Sequence, residues 1–143
     1  MSRKPAPLTW ADASVVQTAG GWHFVLPIPE RVNAVWRQYK GRTIVSAKHR
    51  ADKVTAPAIF RHVVPLAGDV ACRLLWVRAR KAGDVDGRIK TALDLLRGIA
   101  YADDAQVADM QIVRVDDPSE APRLEVIVTA CATPSMRGWG VAA

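Results

Sequence analysis

Cysteine is scarce. Cys72 and Cys131 are the two in 143 residues, too few for a disulfide framework, and each falls in an apolar run where a buried, reduced thiol is expected. The three histidines, His23, His49 and His62, lack the spacing of metal ligands and read as structural. No Ser or Cys nucleophile constellation appears. No apolar run approaches the length of a membrane span, and no hydrophobic stretch follows the basic start Met1 to Lys4, so neither a membrane segment nor a secretory leader is expected. The cytoplasm follows from these absences.

Acid is missing from one long stretch. Between residues 31 and 50 there is no Asp or Glu, while Arg31, Arg37, Lys40, Arg42, Lys48 and Arg50 all fall there. Across the chain 20 Lys and Arg face 14 Asp and Glu, a net charge of +6, and the unevenness reads as a phosphate-binding footprint. Trp36 and Tyr39 lie inside this stretch, where they could stack on unpaired bases. Packing, in the core or against a second copy in a dimer, is the commoner fate of a tryptophan and is favoured for Trp36.

Half of the residues are hydrophobic, enough for one domain with a single core. Residues 1–20, rich in Ala and Pro, read as a loose extension, and 132–143 as a flexible tail. Between them the order is α+β. A strand is expected over Trp22 to Ile28, a loop or hairpin over Asn33 to Arg42, and a return over Thr43 to Ser46. A helix follows from about Ala47, with Ser46 as its cap and Pro57 ending or kinking it. Val70 to Arg80 reads as a long strand with Val70, Cys72, Leu74 and Trp76 on one face; further strands are expected near Val107 to Val115 and Arg123 to Ala130.

The richest stretch begins Gly83-Asp84-Val85-Asp86-Gly87 and runs through Lys90 and Asp94, with Asp103-Asp104-Ala105-Gln106-Val107 shortly after. If the chain is extended at Asp84 and Asp86, both side chains point to one face. Residues 86–97 carry Ile89, Ala92, Leu93 and Leu96 at helical spacing, with Asp86 at the N-cap position and Gly98 at the stop. Lys90 and Asp94 follow Asp86 at one-turn intervals on the opposite face. Clustered carboxylates repel one another unless a cation is present, and oxygen ligands suit Mg²⁺ or Mn²⁺ with a phosphodiester substrate. Asp-x-Asp before a helix also reads as an N-cap with a solvated neighbour, Asp103-Asp104 as a turn, and Lys90 as half of an ion pair within the helix. Spacing leaves these readings open.

At these residues the chain resembles the RusA family of Holliday junction resolvases, small endonucleases often found in phages and prophages. The basic lead Arg78, Arg80, Lys81, the motif Asp84, Asp86, Lys90, the Leu93-Asp94 pair and Asp103-Asp104-Ala105-Gln106-Val107 occur in the family's order. Upstream, Leu26-Pro27-Ile28-Pro29, Asn33, Gly41-Arg42-Thr43 and Val45-Ser46-Ala47 look like its opening strand, turn and hairpin. The resemblance covers roughly residues 22–130. It implies an α+β fold, a mixed sheet packed with about two helices, over residues 21–131, and a homodimer cutting four-way junctions in paired, symmetric fashion during DNA recombination and repair. It also implies Mg²⁺ (or Mn²⁺) held by Asp84, Asp86 and Asp104, with Asp103 as an additional acid, and Lys90 as the catalytic lysine. Asn33, Arg37, Lys40, Arg42, Arg78, Arg80 and Lys81 would contact DNA, in the cytoplasm of a bacterial or phage-infected cell. Gly87 departs from the pattern, where the family usually has Asn. A branched-DNA-binding protein without cleavage and a nuclease for forks or flaps are the rival readings.

Overall fold

The computed structural model describes residues 3–79, 81, 83 and 87–136, without the side chains of Val32, Asn33 and Arg37. The strands are β1 (Ser14–Thr18), β2 (Gly21–Leu26), β3 (Trp36–Tyr39), β4 (Arg42–Val45), β5 (Val70–Arg78), β6 (Val107–Asp116) and β7 (Arg123–Ala130). The helices are α1 (Val32–Val35), α2 (Ala47–Ile59) and α3 (Ile89–Leu96). Five strands form one sheet in the order β1-β2-β7-β5-β6, and β3-β4 form a separate hairpin. β5 and β6 run parallel while the other pairs of the large sheet are antiparallel. A parallel pair needs a crossover connection, and α3 lies within it.

The expected α+β domain with a mixed sheet and two packed helices is therefore present. Its core follows from strand alternation. Val70, Cys72, Leu74 and Trp76 of β5 join Phe24 and Leu26 of β2 and Leu124, Val126 and Val128 of β7 on one face, against Ala56 of α2 and Ala92, Leu95 and Leu96 of α3. Burying each large aliphatic or aromatic chain there contributes about 1.5–3 kcal/mol. Cys72 is part of this core, and burial first, then the nearby Cys131, pushes its thiol up to about 12. Both cysteines are free, as expected, but Cys131 is only half-buried.

Three local readings change. Residues 14–18, expected within a loose extension, form the edge strand β1; β2 then opens on a glycine that its approach to β7 requires, since a Cβ at 21 would lie 1.8 Å from the Val128 carbonyl oxygen. The helix expected from residue 86 starts at Ile89 with Arg88 at its N-cap; Asp86 lies outside the described residues. Pro57 sits inside α2, which runs two residues past it to Ile59; lacking an N–H, it gives up one bond of the ladder just before the helix stops. Residues 131–135 carry neither helix nor strand, and 137–143 lie outside the described residues.

Candidate active site

The site is built where the β3-β4 hairpin meets α2 and α3. Lys40 (φ 50°) and Gly41 (φ 74°) form the two-residue turn of the hairpin, both at positive φ as tight hairpin turns demand, which the glycine supplies without strain. Ser46 caps α2 by accepting from the His49 N–H at 3.1 Å, and its own hydroxyl donates to Glu30. The Glu30 carbonyl accepts from Thr91 Oγ1 of α3 at 2.7 Å, and the Ser46 N–H donates to the Val35 carbonyl at 2.6 Å. Both ends of the hairpin are thereby fastened to the two helices.

This junction encloses a pocket of about 620 Å³. Lys90 and Asp94 line it from α3 and Arg97 from the cap that ends it, His49, Arg50, Lys53 and Val54 from α2, Val35 from α1, Trp36 and Val45 from the hairpin, and Asp104 from the turn before β6. The one-turn spacing of Lys90, Asp94 and Arg97 thus puts them on one wall, and the chain's return brings Asp104 to it.

Asp94 does not pair with Lys90. His49, 4 % exposed, bonds through Nε2 to Asp94 Oδ2 at 2.8 Å, and Lys53 Nζ lies 3.3 Å from the same oxygen. Partial burial acts against ionisation of Asp94, but the hydrogen bonds from His49 and Lys53 outweigh it and hold the carboxyl below its ordinary range. His49, read as structural from sequence, is thus part of the pocket wall. Only the tertiary meeting of α2 with α3 reveals this, since 45 residues separate the partners.

Asp103 and Asp104 take different roles. Asp103 caps the 3₁₀ turn Asp104–Gln106, accepting from the Ala105 N–H at 3.1 Å, and that hydrogen bond is the foremost reason its carboxyl sits below the usual range. Gln106 completes the turn: its side-chain oxygen accepts from the N–H groups of Ala102 and Asp103, and its amide donates to the Leu66 and Gly68 carbonyls, both at 2.8 Å. Asp104, exposed, is the member of the pair that lines the pocket.

A family model for endodeoxyribonuclease RusA matches residues 27–129. This chain belongs to the RusA family. Among its relatives, the crossover junction endodeoxyribonucleases RusA of Escherichia coli strain K12 and of Escherichia coli O1:K1 / APEC are each 31% identical over 113 residues, covering 76% of this chain and 93% of theirs. The crossover junction endodeoxyribonuclease of Enterobacteria phage 82 is 30% identical over the same extent.

Against the RusA pattern, Asp84, Asp86 and Arg80 lie outside the described residues, and the side chains of Asn33 and Arg37 are likewise outside them. Lys40, Arg42 and Lys81 are exposed. Arg78 stands apart from these. Expected to contact DNA, it is 4 % exposed; its guanidinium pairs with Asp116, donates to the Gly83 carbonyl at 2.9 Å and lies over the Trp76 ring at 4.7 Å. It holds the end of β5 to β6 and to the approach to α3. Trp36 does not pack in the core of the chain: it is 54 % exposed, because the short hairpin lies outside the main sheet and leaves its indole on the pocket side. Gly87, half-buried, directly precedes the α3 cap. No helix among the described residues is long and apolar enough to cross a membrane.

Proposed function

We propose that this RusA-family endodeoxyribonuclease resolves four-way DNA junctions by paired, symmetric phosphodiester cuts, with Mg²⁺ held by Asp84, Asp86 and Asp104 and with Lys90 as the catalytic lysine. The observation that carries the reading is the shared pocket of Lys90 and Asp104, residues that sequence motifs couple and that come from separate elements. Among the described residues no three His, Cys, Asp or Glu side chains converge into a metal site; Asp104 is the only one of the three proposed ligands they include. Its donor chemistry fits: a hard carboxylate oxygen, in a pocket lined by no cysteine. When bound, Mg²⁺ supplies Lewis-acid polarisation of the phosphate and an acidified water.

The rest belongs to the chain. Because Asp94 is engaged by His49 and Lys53, it does not neutralise Lys90, whose ammonium is left to meet the charge developing on the phosphate in the transition state. Arg50, Lys53 and Arg97 ring the same pocket and suit the flanking phosphates. A four-way junction has two-fold symmetry, so a two-fold homodimer presents one site to each of two opposed strands. Free cysteines accord with a reducing compartment, the cytoplasm of a bacterial or phage-infected cell.

The test is single-turnover cleavage of a synthetic four-way junction at saturating enzyme, with and without Mg²⁺, in competition with fork and linear duplex. Cleavage only with Mg²⁺ and preference for the junction are expected. Lys90→Ala should lower the rate by roughly 10²-fold or more with little effect on binding. Junction binding without any cut in Mg²⁺ would overturn the nuclease reading, and an unchanged rate in Lys90→Ala would reduce this lysine to a surface charge.

A further inference from the structure

Nothing in metal-assisted hydrolysis requires an apolar wall beside the metal and the lysine, yet the pocket has one. Trp36 is 54 % exposed and Val54 74 % exposed, and with Val35 and Val45 they line the space that Lys90 and Asp104 share. Trp36 pairs in register with Val45 across the hairpin, so the two present one continuous apolar surface. The other tryptophans among the described residues are used by the fold: Trp76 is 4 % exposed and Trp10 and Trp22 pack against the core.

We propose that an unpaired nucleobase of the DNA strand at the branch point lodges in this pocket and stacks on Trp36. The inference rests on the nuclease reading for its substrate and deepens it by naming a base-binding subsite. Four observations support this occupant. The pocket's about 620 Å³ falls within the size of sites that hold a small organic group. An indole face stacks on any base regardless of sequence. Arg50 and Lys90 flank the apolar wall, with Lys53 paired to Asp94 and Arg97 to Asp103 at its edge, so cations are at hand for the phosphates on either side of the base. The hairpin is pinned at both ends, through Ser46 to Val35 and through Glu30 to Ser46 and Thr91, so Trp36 is held in place, unlike the turn at Lys40 and Gly41. A base at a branch point also lacks the continuous stack of an intact duplex on one side, which lowers the cost of turning it out.

Photocrosslinking decides it. A four-way junction carrying 5-iododeoxyuridine at the branch point is bound by the full chain in EDTA, irradiated in the near ultraviolet and digested with trypsin. Trypsin releases Trp36 in the peptide 32–37, where it is the one aromatic residue, and Tyr39 in the separate peptide 38–40. The expected adduct lies on peptide 32–37, at a yield roughly fivefold or more above that from the same iodouracil in linear duplex, and disappears in Trp36→Leu. In Mg²⁺, Trp36→Leu should cleave saturating junction roughly 10-fold more slowly, while Trp36→Phe, which keeps an aromatic face, should stay within about 3-fold of wild type. Because the residue is exposed, Tm should move by no more than about 2 °C in either variant. Adducts confined to other peptides, or a wild-type cleavage rate in Trp36→Leu, would overturn the base site. The crosslink is read without cutting, so failure of the base site and failure of junction cleavage are separate results.

Discussion

The basic stretch 31–50 and the basic run 78–81 look alike in sequence, and the fold uses them differently. Lys40, Arg42 and Arg50 of the first are exposed, and Arg50 lines the pocket. Arg78 of the second is inside the protein, paired with Asp116 and stacked on Trp76. The same division runs through two adjacent acids, since Asp103 caps a turn while Asp104 lines the pocket. A charge acquires its role from what the fold places beside it, and neighbours in the chain share no such surroundings.

The acids give the sharpest test of that division. Asp104→Asn should lower Mg²⁺-dependent junction cleavage by roughly 10³-fold, the loss expected when a ligand to an activating metal is removed, while binding in EDTA is kept or strengthened. Asp103→Asn removes the same charge one residue away but keeps the cap, because Asn caps as well as Asp, and its rate should stay within about 3-fold of wild type. Equal losses in the two variants would erase the distinction.

Among the cations the contrast lies between stability and binding. Arg78→Ala removes the buried one of two guanidinium partners of Asp116, leaving Arg114 at 3.3 Å, together with a contact from Trp76, and thermal unfolding should show Tm lower by about 5–10 °C. Replacing Lys40 and Arg42 together should leave Tm nearly unchanged and instead flatten the slope of log affinity against log salt by up to about 0.9 per lost phosphate contact. An altered salt slope in a folded Arg78→Ala protein would break the comparison.

The smallest effect concerns pH. The hydrogen bond from Arg78, opposed by burial and aided by the charges of Arg78 and Arg114, holds the Asp116 carboxyl below its ordinary range. A carboxylate depressed in the folded state contributes stability above its unfolded value, near 3.9, and loses it as pH falls through the folded one. The Tm difference between wild type and Arg78→Ala should therefore be full at pH 5–7 and shrink on acidification below about pH 4. A difference constant from pH 7 to pH 2 would show that Arg78 acts through packing on Trp76 alone.

Much of the fold was legible beforehand because it rests on local rules. Period-two alternation marked Val70, Cys72, Leu74 and Trp76 as one core face, Ser46 announced the start of α2, and the loop or hairpin expected over Asn33 to Arg42 with its return over Thr43 to Ser46 corresponds to the β3-β4 pair. Motif spacing likewise singled out Lys90 and the Asp103-Asp104 pair. The start of α3 was read three residues too early, because an N-cap candidate at Asp86 competes with an arginine cap that side-chain chemistry does not advertise.

What the chain's order of residues determined by itself is the set of elements, their inward faces and the chemical groups available for a phosphodiester site, since these follow from periodicity, capping and residue type within a few positions. Tertiary structure decided the partnerships: His49 and Lys53 on Asp94, Arg78 on Asp116, Trp36 beside Lys90 rather than in the core. Each joins groups tens of residues apart, and a hydrogen bond or ion pair depends on distances of a few ångströms that local sequence does not set.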